Sequence, residues 1–423
     1  MTYAMKDSGV EWIGIIPEHW EVKRTQDVLK YQPPLKVNQE WRDYQLLSLR
    51  VKGVCKKNIL STKGKLPESF STYQKVNKND MVFCLFDLDL TAVTAGLSKY
   101  DGMITSAYSI FKTINNSIPL YWDYYYKYID HTRPFNSFYK SLRKVIRPPS
   151  FNKIPIMYPP KKEQEIIASY LDKHVGNLDK YIESAEKKIK LLEEQKTSLI
   201  YETVTHGLNP DAKMKDSGIE WIGMIPEHWK IERVKENVNI ETGGFTPNTK
   251  NQDLYQGDDL WCTIADISKE NKYIDNTKNK IAGEYFQNKH KIPVGSLLFS
   301  FKLSPGRVAF TKKSMFINEA ICAFMPSSKM DLNFLYYASP LFIVKNAKEN
   351  IFNAKILNQP LIQNALIVVP PKKEQEDIAS YLDTKCSRIE KEVELLKKKV
   401  ELLKEYKTSL IFEVVTGKKS VVQ

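Results

Sequence analysis

The stretch KDSGVEWIGIIPEHWEVKR, residues 6–24, returns later in the chain as KDSGIEWIGMIPEHWKIER, residues 215–233. Fourteen of the nineteen positions are identical at a constant offset of 209 residues, and exchanges such as Val10 to Ile219 keep apolar bulk. An internal repeat of this kind bears on the whole architecture, so it has to be explained before any single motif.

A second repeated segment follows each copy of the first. PPKKEQEIIASYLD, from Pro159, returns as PPKKEQEDIASYLD, from Pro370, and the likeness continues at an offset of 211 as far as YETVT and FEVVT. Residues 25–158 and 234–369, which lie between the repeats, align with each other nowhere for long, yet their lengths of 134 and 136 differ by only two. A repeated frame around two diverged inserts of equal size indicates two modules that do one kind of job on different targets.

Length and composition favour a folded protein. With 423 residues and 42% apolar side chains, the chain has room for two or three domains, each with a core. No run of eighteen apolar residues occurs, and the start, MTYAMKDSGVEW, lacks a signal peptide, so we expect a soluble cytoplasmic protein with no membrane association. The cysteines lack CxxC or Cys/His spacing, which indicates reduced, mostly buried thiols and no metal site. They are Cys55, Cys84, Cys262, Cys322 and Cys386.

The net charge of +13 is concentrated in the diverged modules. Residues 24–158 hold 21 basic and 10 acidic side chains, a surplus of 11, and residues 233–369 hold 17 and 12, a surplus of 5. Because cationic contacts to phosphates supply most non-specific affinity for nucleic acid, both modules are candidate nucleic-acid binders. The alternative is a generally basic protein that stays in solution by self-repulsion.

The segments after the double prolines carry a heptad pattern. Glu163 and Glu165 place negative charge in a first helical turn, and apolar residues then recur at alternating steps of four and three. The seam consists of Leu171, Val175, Leu178, Ile182, Ala185, Ile189, Leu192 and Leu199, and in the copy of Leu382, Cys386, Ile389, Val393, Leu396, Val400, Leu403 and Leu410, with Lys196 and Lys407 at the polar position. The pattern predicts two helices, the first over residues 163–205 and roughly 64 Å long at about 1.5 Å per residue.

A seam only two positions wide needs a partner helix. The nearest equivalent surface is the other copy, and the order of segments along the chain favours antiparallel packing. We therefore predict an α/β protein in which two long antiparallel coiled-coil helices separate two globular modules in a pseudo-twofold, circular arrangement. The alternative is that each helix pairs with another subunit.

The apolar residues of the first repeat are predicted to dock each module onto its neighbouring helix end. They are Trp12, Ile13, Ile15, Ile16 and Trp20, with the copies Trp221, Ile222, Met224, Ile225 and Trp229. The sequence Pro-Glu-His-Trp also contains His19 and His228. We interpret both as structural, because an identical histidine in two scaffold segments does not indicate one catalytic site.

The paired motifs resemble those of a known family. Two copies of G-[VI]-E-W-I-G-x-I-P-E-H-W, each followed by a variable module and then by P-P-x-x-E-Q-x-x-I-A-x-Y-L-D with a heptad helix, are similar to the specificity (S) subunit of type I restriction-modification systems. The resemblance covers essentially the whole chain. It implies a duplex-DNA-binding subunit without chemistry of its own, with two target recognition domains that each read one part of a split site and helices that set the unread spacer.

The resemblance also implies partners. Two modification subunits would carry S-adenosylmethionine and methylate adenine, and restriction subunits would use ATP and Mg for translocation and cleavage, with no cofactor in this chain. Since the two modules differ, the site should be asymmetric. The implied segments are a framework segment 1–24, target recognition domain 1 at 25–158, a central spacer helix at 159–207, a framework repeat at 208–233, target recognition domain 2 at 234–369, and a C-terminal spacer helix and tail at 370–423.

Motifs for catalysis do not appear. An adenine methylase needs an Asn/Asp-Pro-Pro-Tyr/Phe sequence around the flipped base, whereas the double prolines here read QPPL, RPPS, YPPK and VPPK, and a Walker A motif is absent. Two rival functions remain open. One is a self-contained DNA methylase or nuclease, and the other is a scaffold whose helices join proteins while DNA binding is incidental.

Candidate DNA contacts in the first module fall in two places. Residues 84–112 resemble recognition-domain segments of the family, and a basic stretch precedes the rigid sequence Pro148-Pro149. The candidates are Ser106 and Tyr108 in the former and Lys140, Arg143, Lys144 and Arg147 in the latter. Lysine and arginine position phosphates, and arginine reads guanine bidentately. The alternative for the basic stretch is a solvated helix end, and the aromatic residues 121–129 are predicted to be a core helix rather than a stacking surface for bases.

Two segments of the second module are candidate contacts as well. Residues 241–267 begin with a polar loop similar to the family's Gly-Gly-x-Thr-Pro segment, and residues 295–310 are predicted to be two strands around a basic turn. The candidates are Thr246, Asn248, Thr249 and Lys250 in the loop and Lys302, Ser304 and Arg307 at the turn. A plain surface hairpin is the alternative for the second segment.

Overall fold

The computed structural model describes residues 3–58, 69–87, 93–132, 138, 144–267, 271–302, 304–349 and 355–422. They belong to two compact units. Unit 1 consists of Met1–Glu186 with Lys397–Gln423, and unit 2 consists of Lys187–Leu396. The finer division into six segments remains a prediction.

Two of the helices are far longer than the others. The α-helices are α1 (Pro119–Thr132), α2 (Pro148–Phe151), α3 (Lys161–His206), α4 (Val234–Asn237), α5 (Leu332–Lys345), α6 (Gln359–Gln363) and α7 (Lys372–Val415). Helices α3 and α7 are the two that the heptad pattern predicts. Their apolar positions, rather than intrinsic propensity, supply most of their stability, because long helices in proteins are held by packing of one face.

Both long helices have sharp ends. Each begins directly after a Pro-Pro pair and carries an acidic residue, Glu163 or Glu374, in its first turn, where the helix dipole favours negative charge. Each is followed by a glycine in the left-handed region, Gly207 with φ +79° and Gly417 with φ +71°. Glycine takes this conformation without the cost that a Cβ imposes, so it ends both helices.

In unit 1, the first part of α3 packs beside the last part of α7. Asp179 pairs with Lys407 at 2.6 Å and Glu186 pairs with Lys404 at 2.8 Å. Residue numbers increase along α3 in the direction in which they decrease along α7, so the two segments are antiparallel inside this unit. The buried apolar residues that they contribute to one core are Ile167, Ala168, Leu171, Val175, Leu178, Leu410, Ile411, Val414 and Val415.

In unit 2, the last part of α3 packs beside the first part of α7. Lys188 pairs with Glu392 at 2.7 Å and Lys196 with Glu390 at 2.5 Å, again in antiparallel order. The polar seam residues Lys196 and Lys407 occupy the same place in the repeat, and their acidic partners Glu390 and Asp179 are also 211 residues apart. Each unit therefore contains the same lysine–carboxylate pair.

The strands of unit 1 form a small mixed module. They are β1 (Met5–Asp7), β2 (Ile15–Pro17), β3 (Glu21–Arg24), β4 (Leu29–Gln32), β5 (Leu47–Arg50), β6 (Gly53–Lys56), β7 (Gln74–Val76), β8 (Met81–Phe83), β9 (Ala95–Leu97), β10 (Gly102–Ile104), β11 (Ser109–Thr113) and β12 (Pro155–Tyr158). The main sheet has the antiparallel order β4-β11-β8-β9, and α1 shares one core with it. Strand β3 of the first repeat pairs with β12, which leads into α3.

Helix α1 contains the aromatic stretch of residues 121–129. Its rings are fully buried, with Tyr121, Trp122 and Tyr125 at 0% exposure. They pack edge to face with one another and, through Tyr126, with Phe83 of the sheet. The prediction of a core helix is confirmed.

Unit 2 has a larger sheet. Its strands are β13 (Met214–Asp216), β14 (Met224–Pro226), β15 (Lys230–Arg233), β16 (Ile240–Glu241), β17 (Asp259–Cys262), β18 (Tyr273–Ile274), β19 (Asn279–Ile281), β20 (Leu297–Ser300), β21 (Val308–Thr311), β22 (Phe316–Ile317), β23 (Ile321–Phe324), β24 (Lys348–Glu349), β25 (Lys355–Ile356) and β26 (Leu366–Val369). One sheet has the order β16-β23-β20-β21-β18 and a second the order β19-β17-β22. Strand β15 pairs with β26, which leads into α7, as β3 pairs with β12 in unit 1.

The first repeat docks on a helix end in unit 1. Trp20 is fully buried, and its Nε1 donates to Glu163 Oε2 at 2.6 Å, while His19 Nε2 lies 2.7 Å from Glu163 Oε1. The end of α7 closes the other side, because Gly417 lies against the rings of Trp20 and Pro17. One carboxylate of α3 thus holds two side chains of the repeat.

The same contacts occur within unit 2. Trp229 is also fully buried, and it donates to Glu374 Oε2 at 2.9 Å, while His228 Nε2 lies 2.7 Å from Glu374 Oε1. Here Gly207, at the end of α3, is the glycine whose added Cβ would come within 2.9 Å of the Trp229 ring. The predicted docking of each repeat onto a helix end is confirmed for the tryptophans Trp20 and Trp229, and both histidines contribute to it. It is wrong for Ile15 and Met224, which are 57% and 45% exposed.

Helices with the length and apolar character needed to cross a membrane do not occur among the described residues.

Candidate nucleic-acid interface

One part of unit 1 is rich in basic residues. We call residues 36–58, 69–78 and 99–108 the outer lobe. It contains the pairs β5-β6 and β7-β10, which enclose small apolar clusters around Leu47 and Phe70. In sequence it holds nine basic and three acidic residues. The basic residues are Lys36, Arg42, Arg50, Lys52, Lys56, Lys57, Lys75, Lys78 and Lys99.

Most of these cations face solvent, and three of them lie over aromatic rings. The guanidinium of Arg42 is 4.5 Å from the ring centre of Trp41, and Lys56 Nζ is 4.8 Å from that of Tyr100. Lys75 Nζ is 4.8 Å from the Tyr44 ring. Cation–π contacts of this kind hold a positive charge at a defined place on the surface. Cations interleaved with aromatic rings are typical of nucleic-acid-binding surfaces.

Two predicted contact residues, Ser106 and Tyr108, lie in the outer lobe. The hydroxyl of Ser106 donates to the carbonyl of Thr72. The Tyr108 ring is half-buried and stacks on Phe86 with 6.1 Å between ring centres, and burial raises the pKa of its hydroxyl. Both residues thus have contacts inside unit 1, so their part in binding stays a prediction.

The four predicted basic residues before Pro148 are only partly described. Lys140 and Arg143 lie outside the described residues. Lys144 is half-buried with a left-handed φ of 48°. Arg147 is exposed and immediately precedes α2. Of this stretch, the described structure therefore presents one arginine to solvent beside a proline-led turn.

The polar loop of unit 2 is fixed from inside. An added Cβ on Gly244 would overlap the carbonyl of Asn318, so only glycine permits this approach. Trp261 Nε1 donates to the carbonyl of Phe245 at 3.0 Å, and the Tyr255 hydroxyl donates to that of Pro247 at 2.9 Å. These bonds hold the base of the loop.

The tip of the same loop carries the predicted residues. Thr246 donates to the Glu319 carboxylate. Asn248, Thr249 and Lys250 are exposed, and Asn248 Oδ1 accepts from the backbone N of Lys250 at 3.1 Å. The loop is thus a held turn that presents one amide, one hydroxyl and one ammonium group, which are donors suited to phosphate or base edges.

Residues 295–310 form the predicted two strands. Strands β20 and β21 pair with Leu297 opposite Phe310, and neither is a surface hairpin, because both lie inside the five-stranded sheet with side chains that are mostly buried. At the turn, Ser300 Oγ donates to the carbonyl of Ser304 at 2.5 Å. Lys302 is exposed.

Arg307, the other predicted contact at this turn, is partly held by the protein. Its Nη1 donates to the carbonyls of Ile264 and Ile267 at 3.5 and 3.4 Å. These bonds tie the turn to the segment that follows β17. In the described structure the guanidinium is therefore partly engaged by the protein, while Lys302 is the cation that the turn offers to solvent.

Sequence reasoning did not single out the outer-lobe cations. The signal was present, because nine basic and three acidic residues give these short ranges a surplus of six, about half of the surplus of 11 in the first module. Individual residues were not identifiable, since the rings that hold Lys56 and Lys75 come from other parts of the lobe, at Tyr100 and Tyr44. Groups of three or more His, Cys, Asp or Glu side chains suited to a metal ion do not occur among the described residues.

Comparison with known proteins defines the class. Residues 226–402 match the family model described as "Type I restriction modification DNA specificity domain". The type I restriction enzyme MjaVIII specificity subunit of Methanocaldococcus jannaschii is 24% identical over 95% of this chain and 93% of that protein. The MjaIX specificity subunit of the same organism is 27% identical, over 42% of this chain and 43% of its own length.

Solved structures share the fold. A chain from a structure titled as the basis of "complex assembly and conformational transition of the type I R-M system" has a TM-score of 0.69 at 14% identity, and the match covers 96% of this chain and 99% of that one. The HsdS subunit from Thermoanaerobacter tengcongensis has a TM-score of 0.50 at 15% identity, over 96% and 98%. These structures show that the chain shares a fold of mixed helices and strands with them. The chain is similar over nearly its whole length to a type I restriction enzyme specificity subunit, and residues 226–402 match the DNA specificity domain of such proteins.

Proposed function

We propose that the chain is the sequence-specific DNA-binding subunit of a type I restriction-modification complex and reads a bipartite, asymmetric duplex site with one module per half. The observation that carries the proposal is that two modules with different sheets and different exposed polar surfaces are attached to long helices by the same contacts. A repeated attachment with unlike surfaces suits one task performed on two different sequences.

In this proposal α3 and α7 form one antiparallel coiled coil, and the modules lie at its two ends in a pseudo-twofold, circular arrangement. The antiparallel ion pairs within each unit support this arrangement. The coiled coil then sets the length of unread DNA between the half-sites, since the separation of two reading elements fixes the separation of the sequences that they read.

The proposed partners follow from the similarity to type I specificity subunits. Two modification subunits would supply S-adenosylmethionine and adenine methylation, and restriction subunits would supply ATP- and Mg-dependent translocation and cleavage. The names of the relatives, as specificity subunits of restriction enzymes, support a chain that contributes recognition rather than catalysis. We place the complex in the cytoplasm, where chromosomal DNA is accessible.

The full chain tests the proposal by selection from a random pool of duplexes. Two short fixed sequences separated by an unread spacer of constant length, and unequal to each other, are the expected product. A single continuous sequence, a palindrome or no enrichment would contradict the proposal. Incubation with S-adenosylmethionine and the selected duplex should leave the DNA unmethylated, and methylation by the chain alone would support the enzyme rival.

Charge reversal in the outer lobe tests the DNA-facing surface of unit 1. The changes Arg50→Glu, Lys52→Glu and Lys56→Glu should each lower the slope of log affinity against log salt by about 1, because each removes about one phosphate contact. Lys180→Glu and Lys187→Glu, at exposed positions on α3, are matched controls that should leave the slope unchanged. Equal slopes in both sets would remove the outer lobe from the binding surface.

A further inference from the structure

A buried glutamine stands at the start of each long helix and contacts the module in the same way. Gln164 and Gln375 are 0% and 1% exposed. In unit 1, Gln164 Oε1 accepts from the backbone N of Ile118 at 3.1 Å, and its Nε2 donates to the carbonyl of Pro159 at 2.9 Å. Both ends of the side-chain amide are therefore bonded to the backbone.

Unit 2 repeats the arrangement. Gln375 Oε1 accepts from the backbone N of Asp331 at 2.7 Å, and its Nε2 donates to the carbonyl of Pro370 at 2.8 Å. Ile118 and Asp331 each immediately precede the module helix, α1 or α5. The glutamine thus binds the N-terminus of the module helix, where backbone N–H groups have no partner within the helix.

A second contact joins the same two helices about two turns further on. In unit 2 the hydroxyl of Tyr337, on α5, donates to Asp383 Oδ1 of α7 at 2.6 Å. In unit 1 Tyr124, on α1, faces Asp172 of α3, and burial together with this carboxylate raises the pKa of the Tyr124 hydroxyl. Asp172 and Asp383 are repeat equivalents at the offset of 211, although the modules that contribute the tyrosines have diverged in sequence.

Contacts at two places along the long helix fix the direction of the module helix. Residues 164 and 172 are eight positions apart, or about 12 Å along a helix that rises about 1.5 Å per residue. A module helix held at one point retains rotation about that point, whereas a helix held at both points does not. The contacts are polar and directional, so they specify an angle that apolar packing alone does not.

Unit 2 adds a cation to its second point. Lys272 Nζ lies 2.6 Å from Asp383 Oδ1 and sits over the rings of Phe310, Tyr336 and Tyr337 at 5.0 to 5.7 Å. The side chain of Lys272 is 18% exposed, so solvent screens the pair only partly. Among the described residues, no basic side chain pairs with Asp172 in unit 1.

We propose that Gln164 with Asp172, and Gln375 with Asp383, are positioning residues that set the angle at which each recognition module stands on its long helix, and through that angle the spacer length that the protein prefers. The inference rests on the proposed bipartite reading of DNA. It assigns spacer selectivity to the attachment of the modules as well as to the length of the helices.

The decisive experiment uses the full chain and duplexes that carry its selected site. The natural spacer is compared with spacers one base pair shorter and longer, and each half-site is also tested alone. For Asp383→Asn, alone and combined with Tyr337→Phe, affinity for single half-sites should stay within about twofold, because the reading surface is untouched. Preference for the natural spacer should fall by about tenfold, since a loosened joint lowers the effective concentration of the second module at its half-site.

Asp377→Asn is the matched control. It makes the same change on the same helix, where Asp377 is exposed and, within the part of the chain that the structure describes, pairs with Lys373 of the same helix at 3.0 Å. It should retain the full preference for the natural spacer. Asp172→Asn should weaken the preference less than Asp383→Asn does, because no lysine pair is lost.

The outcomes separate the two ideas. A wild-type chain that shows no bipartite site or no spacer preference would contradict the proposed function. A wild-type chain with a clear preference that the Asp383→Asn/Tyr337→Phe variant fully retains would overturn the positioning role alone. Loss of single half-site affinity in that variant, with an unchanged melting temperature, would also overturn it, since Asp383 would then act in reading.

Discussion

Unit 1 and unit 2 attach their modules by the same side chains but fill them differently. Helix α1 buries Tyr121, Trp122 and Tyr125, whereas α5 has Phe334, Leu335 and Ala338 at the positions 213 residues later. The attachment keeps its glutamate, glutamine, tryptophan and histidine in both units. Polar bonds at a joint require particular residues, while a core requires only apolar volume of suitable shape.

The largest expected effect tests whether the joints are energetically equal. Trp20→Ala and Trp229→Ala each remove a fully buried indole and its bond to a glutamate. Each should destabilise its unit by about 3–5 kcal/mol, the usual range for large aromatic truncations. Urea unfolding, followed by limited proteolysis with fragments assigned by mass, measures each unit. Destabilisations that differ by more than about 2 kcal/mol would show that the two attachments are not energetically equal.

Alkaline pH should separate the two interiors. Burial raises the pKa of the Cys262 and Cys322 thiols in unit 2, and of Tyr121, Tyr125 and Tyr126 in unit 1. A raised pKa in the folded state means that stability is complete below the unfolded value and falls as pH rises above it. The ordinary pKa values, which the unfolded chain has, are 9.0 for the thiols and 10.0 for tyrosine.

Unit 2 should therefore weaken first. At pH 10 Cys262 and Cys322 cost about 3 kcal/mol, while Tyr121, Tyr125 and Tyr126 of unit 1 cost about 1 kcal/mol. Cys386 adds to the loss in unit 2, because burial raises the pKa of its thiol to about 11. Proteolysis at pH 8, 10 and 11 measures the order, and Cys322→Ala should delay the loss in unit 2. Earlier unfolding of unit 1 would contradict this account.

The hydrogen bonds of Glu163 and Glu374 to the first repeat should differ in strength although their geometry matches. Glu163 has a side chain only 12% exposed, whereas Glu374 is 41% exposed. Glu163→Gln should cost about 2 kcal/mol, as expected for a buried charged hydrogen bond, and Glu374→Gln less than about 1 kcal/mol, because solvent screens it. Thermal melting of both variants is the measurement. Equal losses of stability in the two variants would show that solvent exposure does not control the strength of these hydrogen bonds.

The smallest effect concerns the seam lysines. Lys407 and Lys196 are 30% and 29% exposed and pair with carboxylates at 2.6 and 2.5 Å. Lys407→Met and Lys196→Met should each change stability by less than about 1 kcal/mol, since exposed ion pairs contribute little. The double change should leave stability similar and loosen helix register, which a polar seam residue specifies. Cysteine crosslinking along α3 and α7 would detect the alternative registers.

Much of the repeated framework was predictable, because the apolar periodicity and the residues at the helix ends specify it. Double prolines, an acidic first turn and a terminal glycine bound each long helix, and the predicted 163–205 compares with Lys161–His206. Docking of the tryptophans followed from their apolar clusters. Glu163, which accepts the hydrogen bond of Trp20, was assigned only to the helix dipole, since nothing in a linear sequence indicates a partner 143 residues away.

The modules were less predictable. Strands of three or four residues carry little periodic signal, and the order β16-β23-β20-β21-β18 depends on pairings between distant segments. The roles of Gln164 and Gln375 were missed because a polar residue in a charged KKEQ sequence resembles a solvated helix start. The prediction that Arg307 contacts DNA stays a prediction, and its bonds to the carbonyls of Ile264 and Ile267 were not predictable because only the folded chain brings that segment near.

The discontinuity of unit 1 has a consequence for biosynthesis. Its core needs Leu410, Ile411, Val414 and Val415, which the ribosome releases only after the 210 residues of unit 2. Synthesis proceeds at about 5–20 residues per second, so the apolar face of Ile167 and Leu171 stays exposed for roughly 10–40 s before α7 can bury it. A nascent chain therefore exposes an aggregation-prone helix face during that interval. If translation stops early, this face remains exposed permanently. We expect truncated products to be captured by chaperones and degraded.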